Sequence, residues 1–516
     1  MKKSRNLLTQ IISGLVLVPS LSLLPSIAHF GIGSNRVMAN QAESQSESVA
    51  DETVSETDID SQGQSRLEIL AEADLLYLQG DRAGAEKLYR QAKEPFAEHE
   101  SETVLEPIHN LEEFDSAGGR VFWREAQAGW NGEPKLESRI FVPLDMLVEK
   151  HPEFVPAHVL LAEAHQHYDR PEAALEVLER AASLFPDSVE VVKIHVKALA
   201  DNEKYLEAAV SARQFAIVHS EHPEAAELAK IADQNMEKFQ GQVKEQMVGK
   251  GLLGGAISVA TCGLFGGCNP VESAVGDALS LGALMLQGES KLGKHLSNSY
   301  QEQREMVEDE EVLAYVTKIG NDLAELMGRD DFEYEFYVIR DDAINAFALP
   351  GGKVFINTGI ILNTNSEAEF AGLIAHELAH AVLSHSFAQF ASNQLHNSVG
   401  QMLDSALGNK LPIGSIISTL ISLDYSRSHE RQADIVGTRV LATAGYAADG
   451  LRNLMVTLAE KQENSGSPAF LSTHPATDDR VGYLEELIQE NSYNRYAFEG
   501  VEKHAAIQER LKELQE

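Results

Sequence analysis

The stretch FAGLIAHELAHAVLSHS, residues 370–386, predicts the centre of a folded C-terminal domain. Apolar residues flank its polar positions at helical spacing, which indicates a buried helix. On such a helix His376 and His380 are about 400° apart and share one face, where two imidazoles can bind one zinc ion. Glu377 lies beside them and can hold and deprotonate a metal-bound water. A buried helix keeps such polar groups only if each finds a partner, so the pattern predicts a metal site.

His385 is the nearest further histidine, and helical phase argues against it as the third ligand. It follows His376 by nine residues, which is about 900° of rotation on a continuous helix, or half a turn out of phase. We therefore expect His385 to point away from the metal, as a structural or surface residue.

A better third ligand lies in YSRSHERQADIVGTRVL, residues 425–441. Glu430 and Asp434 are spaced i, i+4 and share a helix face, where they are costly to bury unless something positive meets them. Glu430 would bind the metal, and Asp434 would accept the free ring N–H of a ligand histidine. The alternative is a solvated face on which Arg427 or Arg431 pairs with the two carboxylates.

Four motifs together resemble a known family: AHELAHAVLSHS, SRSHERQADIVGTRVLATAGY, NAFALPGGKVFINTGI and STHPATDDR. In order and spacing they are similar to the gluzincin zinc metallopeptidases of the HtpX, BepA and CAAX prenyl protease family, across about residues 295–490. The resemblance implies an endopeptidase with one Zn²⁺ per chain. It implies His376, His380 and Glu430 as ligands and Glu377 as the catalytic base.

The resemblance also implies an edge strand within Asn345–Gly359 that pairs with extended protein substrates through main-chain hydrogen bonds. The alternative is an ordinary sheet strand. The residues expected on the substrate edge are Asn345, Gly351, Gly352, Val354 and Phe355.

Two residues of the last motif, His474 and Arg480, each have two alternative roles. His474 could stabilise the oxyanion, or it could occupy the fourth zinc position and hold the enzyme inactive. Arg480 would orient this loop or bind a substrate carbonyl. His474 is expected to be catalytic, and Asp434 and Arg480 are expected to support the ligands from behind.

Residues 65–240 predict helical repeats. Ala164 and Ala198 are 34 residues apart, and so are Ala174 and Ala208. That is the period of tetratricopeptide repeats, which these units resemble, and the stretch 97–150 fits it poorly and suggests an insertion. Such repeats stack into a concave surface for a client or assembly partner, and the alternative is helical packing without a ligand.

The first 64 residues predict export. A basic start, an apolar run and Val37-Met38-Ala39 indicate a signal peptide over residues 1–39. Residues 40–64 hold seven acidic and no basic residues, which predicts a disordered linker. The expected location is the periplasm or cell envelope, which is favoured over secretion into the medium.

Residues 241–290 form an apolar, Gly-rich connector before a peptidase domain at 291–516. A buried or flexible connector is favoured over membrane contact through residues 249–287. Cys262 and Cys268 could form a small-loop disulfide or remain as two thiols.

The bulk composition limits the classes of fold and binding partner that the chain can have. Hydrophobic residues make up 43% of the chain, enough for folded cores, and the net charge of −37 argues against nucleic acid as a partner. The expected fold is α+β and mainly α, with helical repeats followed by a mostly helical zincin domain and a small sheet. The expected function is a zinc metalloendopeptidase of envelope quality control, and the rival is a repeat-based chaperone or scaffold with a latent peptidase domain.

Overall fold

The computed structural model describes residues 65–96, 105–249, 288–389, 413–422, 425–465, 468–474 and 478–515. The expected signal peptide, acidic linker and disulfide, and all but the ends of the connector, lie outside these residues. No helix of the described ranges has both the length and the apolar character that crossing a membrane requires. The predicted fold class, mainly helical with a small sheet, is confirmed.

Four pairs of consecutive helices, and a ninth helix that packs on the eighth, make up the N-terminal part of the described chain. The helices are α1 Arg66–Gln79, α2 Arg82–Ala92, α3 Ala117–Asn131, α4 Glu137–Lys150, α5 Val155–His167, α6 Pro171–Leu184, α7 Val189–Asp201, α8 Tyr205–Val218 and α9 Ala225–Gly249.

The 34-residue offset of the sequence reappears in the helix starts. Helices α5 and α7 begin at Val155 and Val189, and α6 and α8 begin at Pro171 and Tyr205. The alanines on which the period rests are buried between paired helices, where small side chains let the backbones approach. Residues 117–150, which fit the period poorly, also form a helix pair, and the likeness to tetratricopeptide repeats stays a prediction.

A three-stranded sheet and a further set of helices make up the C-terminal part. The elements are α10 Glu289–Gln301, α11 Glu310–Ala324, β1 Glu335–Ile339, β2 Ala346–Leu349, β3 Lys353–Asn357, α12 Thr358–Ile361, α13 Glu367–Val382, α14 Ile413–Ile421, α15 Arg427–Thr443, α16 Gly450–Ser465, α17 Ala469–Thr473, α18 Asp478–Glu490 and α19 Val501–Glu513.

The strand order is β1-β3-β2, with β1 parallel and β2 antiparallel to the central β3. Val354 and Phe355 lie on β3 and pair on both sides, so their expected place on a substrate edge is wrong. Gly351 and Gly352 are in the tight turn between β2 and β3, at φ 74° and 78°, and not on the edge either. The positive φ values, and the close contact of Gly351 with the Ser290 backbone, explain why both positions need glycine.

The outer strands of the sheet are β1 and β2, and β2 is the one that lies within Asn345–Gly359. The Asn357 N–H donates to the Asn345 carbonyl at 3.1 Å, so that pair is hydrogen-bonded across the two strands. Because such pairs alternate along antiparallel strands, the N–H and C=O groups of Ala346 and Ala348 point away from β3. Helix α13 packs against β2, and the backbone N–H of Ala348 reaches Glu377 on this helix.

Helix α13 is the centre of the C-terminal core, and all its residues are buried. It packs against α11, α15, α16 and the sheet. Gly437 of α15 allows a close approach, since a Cβ there would meet the His376 backbone nitrogen at 3.2 Å. This contact brings the two polar helix faces, around His376 and Glu430, together.

Candidate metal centre

Helix α13 presents two imidazoles to one point. Ser366 caps its first turn by accepting the Glu369 N–H, and the helix runs without interruption to Val382. The Nε2 atoms of His376 and His380 lie 3.1 Å apart, and both side chains are fully buried. The spacing predicted from i, i+4 geometry is therefore present.

Glu430 approaches the same point from the first turn of α15, which Ser426 caps. Its Oε1 lies 3.3 Å from His380 Nε2, and its Oε2 lies 3.5 Å from His376 Nε2. The alternative of a solvated helix face does not apply, because Glu430 and Asp434 are 6% and 1% exposed.

His474 occupies the remaining side of the cluster. Its Nδ1 lies 2.8 Å from Glu430 Oε1 and 3.2 Å from His376 Nε2. The Phe470 ring stacks on the imidazole at a centroid distance of 4.5 Å and holds its plane. His474 Nε2 faces Glu377 Oε1 at 3.6 Å.

The donor set fits a tetrahedral zinc ion. Ligand atoms of His376, His380, Glu430 and His474 all lie within 4.8 Å of one another. Their close separations run from 2.8 to 3.5 Å. Two ligand atoms bound to tetrahedral zinc at about 2.0–2.2 Å are about 3.3–3.6 Å apart, so one ion would need only small side-chain adjustments.

Glu377 lies beside the cluster with a carboxyl oxygen free for chemistry. The residue is 1% exposed, and its Oε1 has no hydrogen-bond partner among the described residues. Burial raises the pKa of Glu377, while the nearby His474 and His376 and the backbone N–H of Ala348 lower it. The group is thus placed where a carboxylate can take up a proton and release it.

Arg480 and Asp434 lie behind the ligands. Arg480 donates through Nε and a terminal nitrogen to both oxygens of Asp434, each at 2.7 Å. Its other terminal nitrogen forms an ion pair with Glu430 Oε2 at 2.7 Å. Asp434 Oδ1 lies 3.1 Å from His376 Nδ1, as predicted for the acceptor of a ligand ring N–H. Of the two roles expected for Arg480, its contacts favour an orienting one.

The charges around the cluster move its pKa values in opposite directions. Burial would raise the pKa of Glu430, but the imidazoles of His474, His376 and His380 hold it well below its usual value. Burial also lowers the pKa of His380 far below its usual range. The pKa of His376 rises to about 9, because its hydrogen bonds to Asp434 and Glu430 outweigh the effect of burial.

His385 is not one of the four donors, as expected, but the physical reason differs from helical phase. Helix α13 ends at Val382, and Ser384 has φ 58°, so the phase argument for a continued helix does not apply. His385 is fully buried, not on the surface, and its Nδ1 lies 3.0 Å from His380 Nδ1. It is outside the group of four donors but touches one of them.

Two residues around the centre carried no sequence signal of their own. The Tyr425 ring lies 4.0 Å from the His380 ring, and Gln432 Oε1 lies 3.1 Å from His385 Nε2. Gln432 lies between Glu430 and Asp434 in the sequence, and this position is the only sequence feature that indicates a place near the centre.

The part of the chain that contains this centre is similar to known peptidases. Residues 311–488 match the model of peptidase family M48. The family resemblance carried by the four motifs is confirmed for this M48 region, which holds all four donors as well as Glu377, Asp434 and Arg480.

Individual relatives are similar over the same part of the chain. The mitochondrial metalloendopeptidase OMA1 of Schizosaccharomyces pombe is 30% identical over 183 residues, 35% of this chain and 54% of the relative. The putative beta-barrel assembly-enhancing protease of Vibrio cholerae is 28% identical over 224 residues, 41% of this chain and 45% of the relative. The chain thus spans about half the length of these curated relatives.

Proposed function

We propose that the protein is a zinc-dependent metalloendopeptidase. The observation that carries this is the cluster of His376, His380, Glu430 and His474, whose donor separations suit tetrahedral zinc, with the buried Glu377 beside it. The similarity to M48 peptidases and to named metalloendopeptidases supports peptide-bond hydrolysis.

In this proposal His376, His380 and Glu430 hold one zinc ion, which when bound supplies a Lewis acid for the substrate carbonyl and acidifies a water. Glu377 takes the proton of the attacking water through its free Oε1 and delivers it to the leaving amine. Asp434 keeps His376 in the tautomer that presents Nε2 to the metal.

The substrate class proposed is unfolded or extended protein. The N–H and C=O groups of Ala346 and the C=O group of Ala348 point outward from strand β2 and can pair with an extended backbone, which requires a segment free of its own secondary structure. Ala348 also contributes a backbone N–H beside Glu377, so a paired segment would pass the catalytic carboxylate.

His474 is proposed as an inhibitory fourth ligand in the conformation described. Its Nδ1 is as close to Glu430 and His376 as the other donors are to each other, which favours this role over oxyanion stabilisation. Substrate entry would then require His474 to move away from the metal.

The experiment is casein cleavage by the purified full chain with zinc, comparing wild type with Glu377→Gln. Each is also measured with His474→Ala, so that a closed enzyme is not mistaken for an inactive one. We expect Glu377→Gln to lose about 10²- to 10⁴-fold in rate while keeping its zinc, because the proton acceptor is gone and the ligands remain. Glu325→Gln, on the exposed surface, is the matched control and should keep full activity.

A zinc-loaded protein that cleaves nothing with or without His474, yet binds unfolded clients, would contradict the peptidase proposal. It would support the rival, a repeat-based chaperone or scaffold with a latent peptidase domain.

A place in envelope protein quality control is proposed on similarity. Relatives are named as assembly-enhancing proteases of beta-barrel proteins and as mitochondrial metalloendopeptidases. A periplasmic or envelope location and client binding on the helical repeats belong to the same proposal.

A further inference from the structure

We propose that His385 positions His380 for metal binding, through a hydrogen-bonded relay that ends on Gln432. The inference rests on the proposed function, in which His380 is a zinc ligand. It assigns a role to a histidine that is outside the donor group and is buried at its back.

The first link joins two imidazoles. His380 points Nε2 at His376 Nε2 and Glu430, so its other nitrogen, Nδ1, is the one turned away from the metal site. That Nδ1 lies 3.0 Å from His385 Nδ1. Because a metal-bound Nε2 must be free of its proton, His380 carries its proton on Nδ1 and donates it to His385.

The second link follows from the first. Since His385 accepts at Nδ1, its own proton is on Nε2, which lies 3.1 Å from the Gln432 side-chain oxygen. The amide oxygen accepts the hydrogen bond from this N–H, so both hydrogen bonds of the relay form with a single tautomer of each ring. The relay fixes the tautomers of both rings and the plane of His380.

The backbone is built to place His385. Ser384 adopts φ 58°, which turns the chain at the end of α13 and directs the next residue back toward His380. Ser384 donates to Glu289 Oε1 at 2.7 Å, and Arg329 donates to the Val382 carbonyl at 3.0 Å. These buried bonds hold a conformation that serine rarely adopts unaided.

Helix α15 supports both histidines of α13 with alternate residues. Glu430 contacts both rings from the metal side, Asp434 backs His376, and Gln432 backs His380 through His385. His376 is thus supported by a carboxylate, and His380 is supported by two neutral side chains. This arrangement limits the negative charge buried around the site.

The test measures zinc affinity, not activity. His385→Phe keeps the ring volume but cannot accept a hydrogen bond, and His385→Asn places an oxygen near the former Nδ1. We expect Phe to weaken zinc binding about 10- to 100-fold and Asn to restore most of the loss. Competition with a chromophoric chelator gives the affinity, and cobalt(II) absorption reports the ligand geometry.

Gln432 supplies a second pair if the His385 variants do not fold. Gln432→Glu keeps an acceptor for His385 and should bind zinc nearly as wild type does. Gln432→Leu should lose about 3-fold or more, because the end of the relay is gone.

Equal zinc affinity of wild type and His385→Phe, or of Gln432→Glu and Gln432→Leu, would overturn the relay. Equal weakening by Phe and Asn would mean that His385 acts through packing alone and would overturn it too. A wild-type protein without zinc affinity would instead contradict the proposed function, so the two failures are distinguishable.

Discussion

At the candidate centre, buried carboxylates are stabilised by the imidazoles and the guanidinium group around them. Two carboxylates, Glu430 and Asp434, lie among imidazoles in a region closed to solvent, and Arg480 bridges them both. Unpaired carboxylates at such depth would be costly, so Arg480 compensates one of the two negative charges and a metal ion would add to this. His474 closes the open side of the cluster.

His474 gives a prediction at this scale. His474→Ala should raise casein cleavage about 10-fold or more over wild type, because it frees the fourth metal position for water and substrate. The measurement is kcat/KM with zinc at saturation, with His295→Ala as the matched control on the exposed surface. A fall in kcat/KM for His474→Ala would instead indicate oxyanion stabilisation.

Helix α13 is the element on which the site depends, and its first turn is anchored by a buried carboxyl. Glu369 accepts the Asn365 N–H at 2.8 Å and a Thr457 hydroxyl at 3.3 Å. Its side chain is 3% exposed, and burial raises its pKa to about 7 from 4.5. Between these two pH values the folded protein holds a proton at Glu369 that the unfolded chain has released.

Stability should therefore fall as pH rises through this window. Relative to Glu369→Gln, the wild-type free energy of unfolding should drop by about 2–3 kcal/mol between pH 4.5 and 7 and stay level above it, because ionising the buried carboxyl then opposes folding. Denaturant unfolding of both proteins at several pH values measures the difference. A difference independent of pH would show that Glu369 is not protonated in the folded state.

Across the whole molecule, the N-terminal helices and the M48 region share buried contacts. Asp74 of α1 accepts hydrogen bonds from the backbone N–H groups of Glu499, Gly500 and Val501. Its carboxylate thereby caps the N-terminus of α19. Arg439 of α15 donates to the last carbonyls of α8. Described elements of both parts thus stabilise one another, and α1 packs against α19.

Lys93 tests this docking. Its side chain, at the end of α2, is buried against Asp449 at 2.7 Å and Glu499 at 2.5 Å. Lys93→Met should lower the free energy of unfolding by about 3–5 kcal/mol, because it leaves the buried Glu499 without its cation and Asp449 with Arg495 alone.

Lys87→Met is the matched control, since Lys87 lies on the same helix and is exposed. It should change stability by less than about 0.5 kcal/mol. Thermal or denaturant unfolding measures both, and similar effects of the two substitutions would mean that the buried pairs contribute little.

Local periodicity determined much of this protein from its sequence. The i, i+4 spacings of His376 with His380 and of Glu430 with Asp434 predicted two polar helix faces, and the 34-residue period matches the helix starts. The family resemblance added His474 and Arg480, which lie at the same centre. Such features depend on near neighbours in the chain, so the sequence alone carries them.

Other features depend on residues that are distant in the chain, and only the tertiary structure decided them. Strand order placed Val354 and Phe355 at the centre of the sheet and made β2 one of its two outer strands, because pairing partners are not encoded in one strand. The end of α13 turned His385 back onto His380, since Ser384 is held by Glu289 and its surroundings far away in sequence. The sequence therefore determined which helix faces are polar, and packing decided which side chains meet at the metal site and which support it from behind.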